Sequence, residues 1–162
     1  MYSHINNYKD RPTFTYLNQP VRAVGILPYY IYNDKKIYLF RIIDGNKATD
    51  IGGCTDAIDK NYLDTACREA SEETNGHFFN ISDSLKECQN KFLKLLRTEN
   101  YEIKYDKRGK YLLFKIKVHS KYSQNMKRFG KVEITDKMNH YYIWRPLDKI
   151  YNLHPRLKYI LK

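Results

Sequence analysis

Cysteine is scarce and badly spaced for chemistry. Among 162 residues there are three, Cys54, Cys67 and Cys88, an odd number with no C-x-x-C or similar metal-ligand spacing. A disulfide framework and a zinc–thiolate centre are thereby excluded, and reduced thiols in a cytoplasmic compartment are expected. No apolar run approaches the length that spans a bilayer. The first 20 residues, Met1 to Pro20, are polar and lack the apolar core of a secretory leader. Asn80-Ile81-Ser82 matches a glycosylation sequon, which carries no meaning without secretion. Internal repeats, low-complexity tracts and linkers are absent. Acidic residues are also in short supply, 18 Asp and Glu against 29 Lys and Arg.

The resulting charge of +11 raises the local concentration of polyanions such as nucleotides, nucleic acid and inositol phosphates, without choosing among them. An anionic membrane surface fits the charge equally. Hydrophobic residues make up 42% and aromatics 15%, enough for a folded domain with its own core, and the length suits one domain.

Residues 1–20 read as a polar, irregular arm. Val21 to Tyr32 is β-branched and aromatic, with Pro28 pointing to a bulge or an edge. Asn33 to Lys36 supplies a turn into a second strand over Ile37 to Ile43, and a short strand over Thr49 to Ile51 runs into Gly52-Gly53. From Asn61 to Thr74 the pattern becomes helical, with Leu63, Cys67, Ala70 and Thr74 on one side and Asn75-Gly76 as the stop. His77 to Ile81 reads as a strand. Ser84-x-x-Glu87 opens a second helix as a capping box. Tyr101 to Tyr105 and Tyr111 to Val118 form another hairpin, Ser120 to Met138 a long basic loop, His140 to Trp144 a last strand, and Pro155 to Leu161 a final helix. This order belongs to an α+β or layered α/β/α domain.

The 61–74 helix carries the chemistry. Glu69, Glu72 and Glu73 stand at i, i+3 and i+4, on one face. Like charges there destabilise a bare helix by about a few tenths of a kcal/mol per pair. A solvated acidic face is the plain alternative for glutamates taken alone. In so basic a chain the cluster asks for a cation, and hard divalent ions such as Mg²⁺ or Mn²⁺ take oxygen ligands and retain water that can act as a nucleophile. Upstream, Gly52-Gly53 lets the backbone turn sharply and approach a ligand.

With those glycines and an acid between, Gly52 to Gly76 resembles the box of the Nudix hydrolase family, G-x5-E-x7-R-E-U-x-E-E-x-G-U, where U is a bulky aliphatic residue. Gly53 stands for the first glycine, Asp59 for the first glutamate, and Arg68, Glu69, Ala70, Glu72 and Glu73 for the second half. The departures are definite. Eight residues, not seven, separate Asp59 from Arg68, Asn75 takes the place of the late glycine, and Gly76 stands where an apolar residue is usual. An alignment without the insertion puts Lys60 at the acidic position and Cys54 at the glycine, which is chemically worse.

The resemblance implies an α+β fold, a layered α/β/α sandwich around a mixed sheet, as one domain over 21–162 behind the 1–20 arm. It implies cleavage of a diphosphate linkage in a nucleoside diphosphate derivative by metal-activated water, with Mg²⁺ or Mn²⁺. Glu69, Glu72 and Glu73 would be the principal ligands, with the backbone carbonyl near Gly52, and Asp59 would lie close to the metals. Arg68 would orient the glutamates. Glu69 and the distal Glu133 are alternative general bases. Arg22, Arg41 and Lys47, with Arg128 and Lys131, flank the expected cleft as phosphate contacts. Tyr29, Tyr30 and Phe40 are offered for stacking on a base. The five histidines show no metal or triad spacing, and Cys67 reads as a buried thiol. Capped RNA and diphosphoinositol polyphosphates stay open as substrates, as does a non-catalytic Nudix-fold module that binds nucleotide or RNA.

Overall fold

In the computed structural model, which describes residues 11–76, 84–98, 101–118 and 140–161, the chain enters through a small hairpin, β1 (Phe14–Tyr16) and β2 (Gln19–Val21). This corrects the expectation of an irregular arm up to residue 20. Val21 is wholly buried, Tyr16 packs edge-on against Tyr62 at 6.0 Å between ring centres, and the Tyr105 hydroxyl donates to the Pro20 carbonyl at 2.6 Å.

The next hairpin pairs β3 (Ala23–Tyr32) with β4 (Lys35–Ile43), Tyr32 lying opposite Lys35. Its two-residue turn, Asn33-Asp34, has φ of 48° and 62°, positive at both positions as the twist of the flanking strands requires. A short β5 (Lys47–Thr49) pairs with β4, and after Asp50 the chain moves onto β3 as β6 (Ile51–Cys54). Pro28 is therefore not at an edge. It sits at a changeover in a central strand, where residues 23–26 pair with β6, residues 29–32 pair with β4, and Leu27 and Pro28 enter neither ladder. On that side no ladder bond calls for the N–H that proline lacks.

Two helices follow, α1 (Tyr62–Glu73) and α2 (Leu85–Thr98), then β7 (Tyr101–Asp106), β8 (Tyr111–Lys117), β9 (Tyr141–Pro146) and the short α3 (Pro155–Ile160). Asn61 caps α1 by accepting from the Asp64 amide at 2.9 Å, and Ser84 offers its hydroxyl to the Glu87 amide at 3.4 Å. Among the described residues β3 to β9 make a seven-stranded mixed sheet, ordered β5-β4-β3-β8-β7 with β6 on β3 and β9 on β4. Only β3 and β8 run parallel.

Helices cover both faces of this sheet. Leu112, Phe114 and Ile116 of β8 join Ala66, Cys67 and Ala70 of α1 and Cys88 and Phe92 of α2 in one apolar cluster. Tyr111 and Leu113 join Leu157 and Ile160 of α3 in the other. Alternation along the strand sends successive residues to opposite cores, so β8 is buried from Tyr111 to Ile116. No helix among the described residues is long and apolar enough to cross a membrane. The strand expected over His77 to Ile81 and the loop expected over Ser120 to Met138 lie outside the described residues.

The turn yields a stability prediction. Asp34 holds a left-handed conformation that glycine adopts without steric penalty. Asp34→Gly is expected to raise the unfolding free energy by about 0.5 kcal/mol in urea titration. A loss of stability would mean that the Asp34 side chain contributes more than its backbone conformation costs.

Candidate functional site

The second half of α1 is buried nearly all round: Ala66, Cys67 and Ala70 face the core, while Arg68, Glu72 and Glu73 are as deeply enclosed on the other sides. Arg68 explains how charges survive there. Its Nε donates to Asp59 Oδ1 at 3.0 Å, Nη1 to Glu69 Oε1 at 3.0 Å and Glu72 Oε2 at 3.2 Å, and Nη2 to the Cys54 carbonyl at 2.8 Å and Asp59 Oδ2 at 3.2 Å. Each N–H of the guanidinium is used, and the acceptors come from three stretches of chain. Asp59 Oδ2 also accepts from Thr65 Oγ1 at 2.8 Å and the Asp56 amide at 2.9 Å. Asp59 thus ties the loop ahead of α1 to the helix.

Glu73 has its own holder. Oε1 accepts from Arg41 Nη1 at 2.8 Å and Oε2 from the Gly52 amide at 2.9 Å. Arg41 comes from β4, is 5% exposed, and also donates from Nε to His140 Nδ1 at 3.0 Å. The Tyr142 hydroxyl donates to the Glu73 carbonyl at 2.7 Å and so fixes the end of the helix.

The glycines make room for this packing. A Cβ on Gly53 would collide with the Glu69 carboxylate, and one on Gly52 would strike the β3 backbone at Val24 and Gly25. A side chain at Gly52 would therefore push β6 off β3, and one at Gly53 would displace the Glu69 carboxylate that Arg68 holds.

Four carboxylates, Asp59, Glu69, Glu72 and Glu73, face two guanidiniums, Arg41 and Arg68. Burial pushes the Glu69 carboxyl up, to about 7, and the charge of Glu72 adds to the rise while Arg68 opposes it. Burial likewise raises Glu72. Arg68 loses solvation, but Glu69, Asp59 and Glu72 outweigh that and hold it firmly protonated. Burial raises the Cys67 thiol, leaving it unsuited to act as a nucleophile. The oxygen donors and the surplus of negative charge suit a hard divalent cation, and among the described residues the buried Glu72 Oε1 has no hydrogen-bond partner. Among the described residues, however, no three His, Cys, Asp or Glu side chains already converge as a ligand set. The arginines hold the carboxylates instead.

No family model matches the chain, and no curated protein sequence matches it. Among solved structures the chain is similar to a C. elegans Ap4A hydrolase in a binary complex. The identity is 17% over 79% of this chain and 81% of that one, with a TM-score of 0.39. A superposition that loose carries no weight for fold or activity, so the site stands on its own residues.

Of the positions singled out in the sequence, Gly52, Asp59, Arg68, Glu69, Glu72 and Glu73 come together, and Arg41 joins them from β4. Arg22 is half-buried and Lys47 exposed. Glu133, Arg128 and Lys131 lie outside the described residues. Phe40 is fully buried and Tyr30 packs against Trp144 at 5.1 Å, so both belong to the core. In the sequence His140 and Tyr142 read only as residues of the last strand, because each reaches its partner across a sequence gap that no local spacing reveals. The same holds for Arg156 of α3, which donates to the buried Asp50 at 2.6 Å and lies over the Tyr111 ring at 4.4 Å.

The raised Glu69 makes a signed prediction. The folded protein holds a proton on Glu69 up to about pH 7, whereas the unfolded chain releases it near the ordinary carboxylate value. Stability from this group is therefore full at low pH and is lost as pH rises through that window. His154, lowered by burial and then by Arg156, acts in the opposite direction and cancels when two variants are compared. With chelator present, Glu69→Gln should stabilise the protein against heat more at pH 8 than at pH 5. An effect equal at both pH values would contradict the shift.

Proposed function

We propose that the protein is a divalent-cation-dependent hydrolase of the Nudix kind, cleaving a diphosphate linkage in a nucleoside diphosphate derivative. The observation that carries this reading is the glutamate face of α1, packed behind Gly52-Gly53 with a buried Glu72 oxygen that has no hydrogen-bond partner among the described residues. Glu69, Glu72 and Glu73, with the Gly52 carbonyl, would hold Mg²⁺ or Mn²⁺. Such an ion, when bound, makes water more acidic and neutralises diphosphate charge.

The chain's own residues then divide the remaining work. Arg68 orients Glu69 and Glu72, and Asp59 holds Arg68. Arg41 and the Gly52 amide fix Glu73, which gives Arg41 a positioning role in place of the phosphate contact expected from sequence. Arg22 and Lys47 are the cations proposed for substrate phosphates. Glu69, poised near pH 7 in the absence of an ion, is suited to accept a proton at neutral pH; Glu133 is the other proposed base. The net charge of +11 favours a polyanionic substrate, which keeps capped RNA and diphosphoinositol polyphosphates as narrower versions. Affinity for RNA would fall steeply with salt, and affinity for a small nucleotide much less.

A second reading has a specific observation behind it. The carboxylates are engaged by Arg41 and Arg68 and form no ready ligand set among the described residues, as suits a module that binds a nucleotide without cleaving it. A panel of nucleoside triphosphates, dinucleoside polyphosphates, nucleotide sugars, capped RNA and diphosphoinositols, assayed with product identification, separates the two. Hydrolysis of a panel member should require Mg²⁺ or Mn²⁺ and fall by about 100-fold or more in Glu72→Gln, with circular dichroism showing the fold retained. Binding without hydrolysis at any metal concentration would overturn the enzyme reading in favour of the module.

A further inference from the structure

A cleft of about 580 Å³ opens where β4 ends and β9 begins, lined by residues 42–46 together with His140 and Tyr141. That volume falls within the range of small-molecule sites. We infer that this cleft takes the nucleobase of the substrate and prefers a base whose edge donates hydrogen bonds, as guanine does. The inference rests on the hydrolase reading only in assigning the base to a diphosphate compound.

Tyr141 is 48% exposed, whereas its strand neighbour Tyr142 and its cross-strand partner Ile42 are 7% and 4% exposed. An open aromatic ring beside the apolar Ile42 and Ile43 is a platform on which any base can stack. The turn that faces it is built to hold its shape. Gly45 and Asn46 occupy left-handed backbone, the Gly45 carbonyl accepts from the Asn152 side chain at 2.7 Å, and the Asn152 carbonyl accepts from the Ala48 amide at 2.8 Å.

Asp44 and Asn46 therefore sit on a fixed turn, and among the described residues neither side chain has a hydrogen-bond partner. A carboxylate here repels phosphate, so the cleft does not suit the anionic part of a nucleotide. It does suit the adjacent ring and amino N–H donors of guanine, which match the two carboxylate oxygens. Adenine presents an acceptor beside its donor and loses half of that match. His140 forms part of the cleft wall, and Arg41 links it to Glu73. The cleft thus adjoins the glutamate face, two hydrogen bonds away from it.

The test is calorimetric titration of the full chain with GMP, AMP and UMP in chelator, where no turnover can occur. GMP should bind about ten-fold more tightly than AMP. Tyr141→Ala should weaken GMP about ten-fold while Tyr141→Phe retains it, and Asp44→Asn should abolish the preference for GMP over AMP. Both side chains project outside the core, so melting temperatures should be unchanged. Absence of monophosphate binding, or GMP binding indifferent to Tyr141→Ala, would overturn the assignment. Turnover without base preference would sink this inference and leave the hydrolase reading intact; base binding without turnover would do the reverse.

Discussion

A single buried guanidinium organises this molecule's chemistry. Arg68 is 5% exposed and shares its N–H groups among Asp59, Glu69, Glu72 and the Cys54 carbonyl. An arginine enclosed in this way is stable only while its acceptors stay in place, since leaving one partner of a buried pair alone costs about 3–5 kcal/mol. The dependence runs both ways. Without Arg68 the carboxylates of α1 would repel one another in a dry environment, and the loop carrying Asp59 would lose its tie to the helix.

A second arginine extends the same logic across the sheet. Arg41 reaches Glu73 from β4, and the Gly52 amide supplies the other bond to that carboxylate. Even so, four carboxylates face two arginines, and one Glu72 oxygen is left buried and unmatched. The chain as a whole carries a net charge of +11, whereas this enclosure holds more carboxylates than guanidiniums. Under the proposed function, the positive surplus would gather a polyphosphate substrate and the carboxylates would hold the ion.

Much of this was readable from the chain wherever the signal is local. The i, i+3, i+4 glutamates, the Ser84 cap and the β7–β8 hairpin each follow from a few adjacent residues, while the turn expected over Asn33 to Lys36 closes at Asn33-Asp34, with Lys35 and Lys36 already in β4. The β1–β2 hairpin was not readable, because Gln19 and Pro20 hide the alternation of a strand, and Tyr62 and Tyr105, far along the chain, hold it in place. Pro28 suggests a bulge or an edge since proline gives up a donor, and the handover from β6 to β4 explains how a central strand tolerates it. Arg41 read as a free cation because its partners, Glu73 and His140, stand 32 and 99 positions away. Asp59 is expected from the resemblance to lie close to the metals, and its bonds to Arg68, Thr65 and the Asp56 amide depend on a loop shape that spacing alone does not specify.

A double-mutant cycle tests the role of Arg68 most directly. Asp59→Asn, Arg68→Lys and the combined variant would each be unfolded in urea in the absence of divalent ions. If the loop and the glutamate face are held through this one pair, the losses should fall short of additivity by about 1 kcal/mol or more. Losses that add within about 0.3 kcal/mol would mean that Asp59 and Arg68 act independently, and that something other than this guanidinium holds the site together.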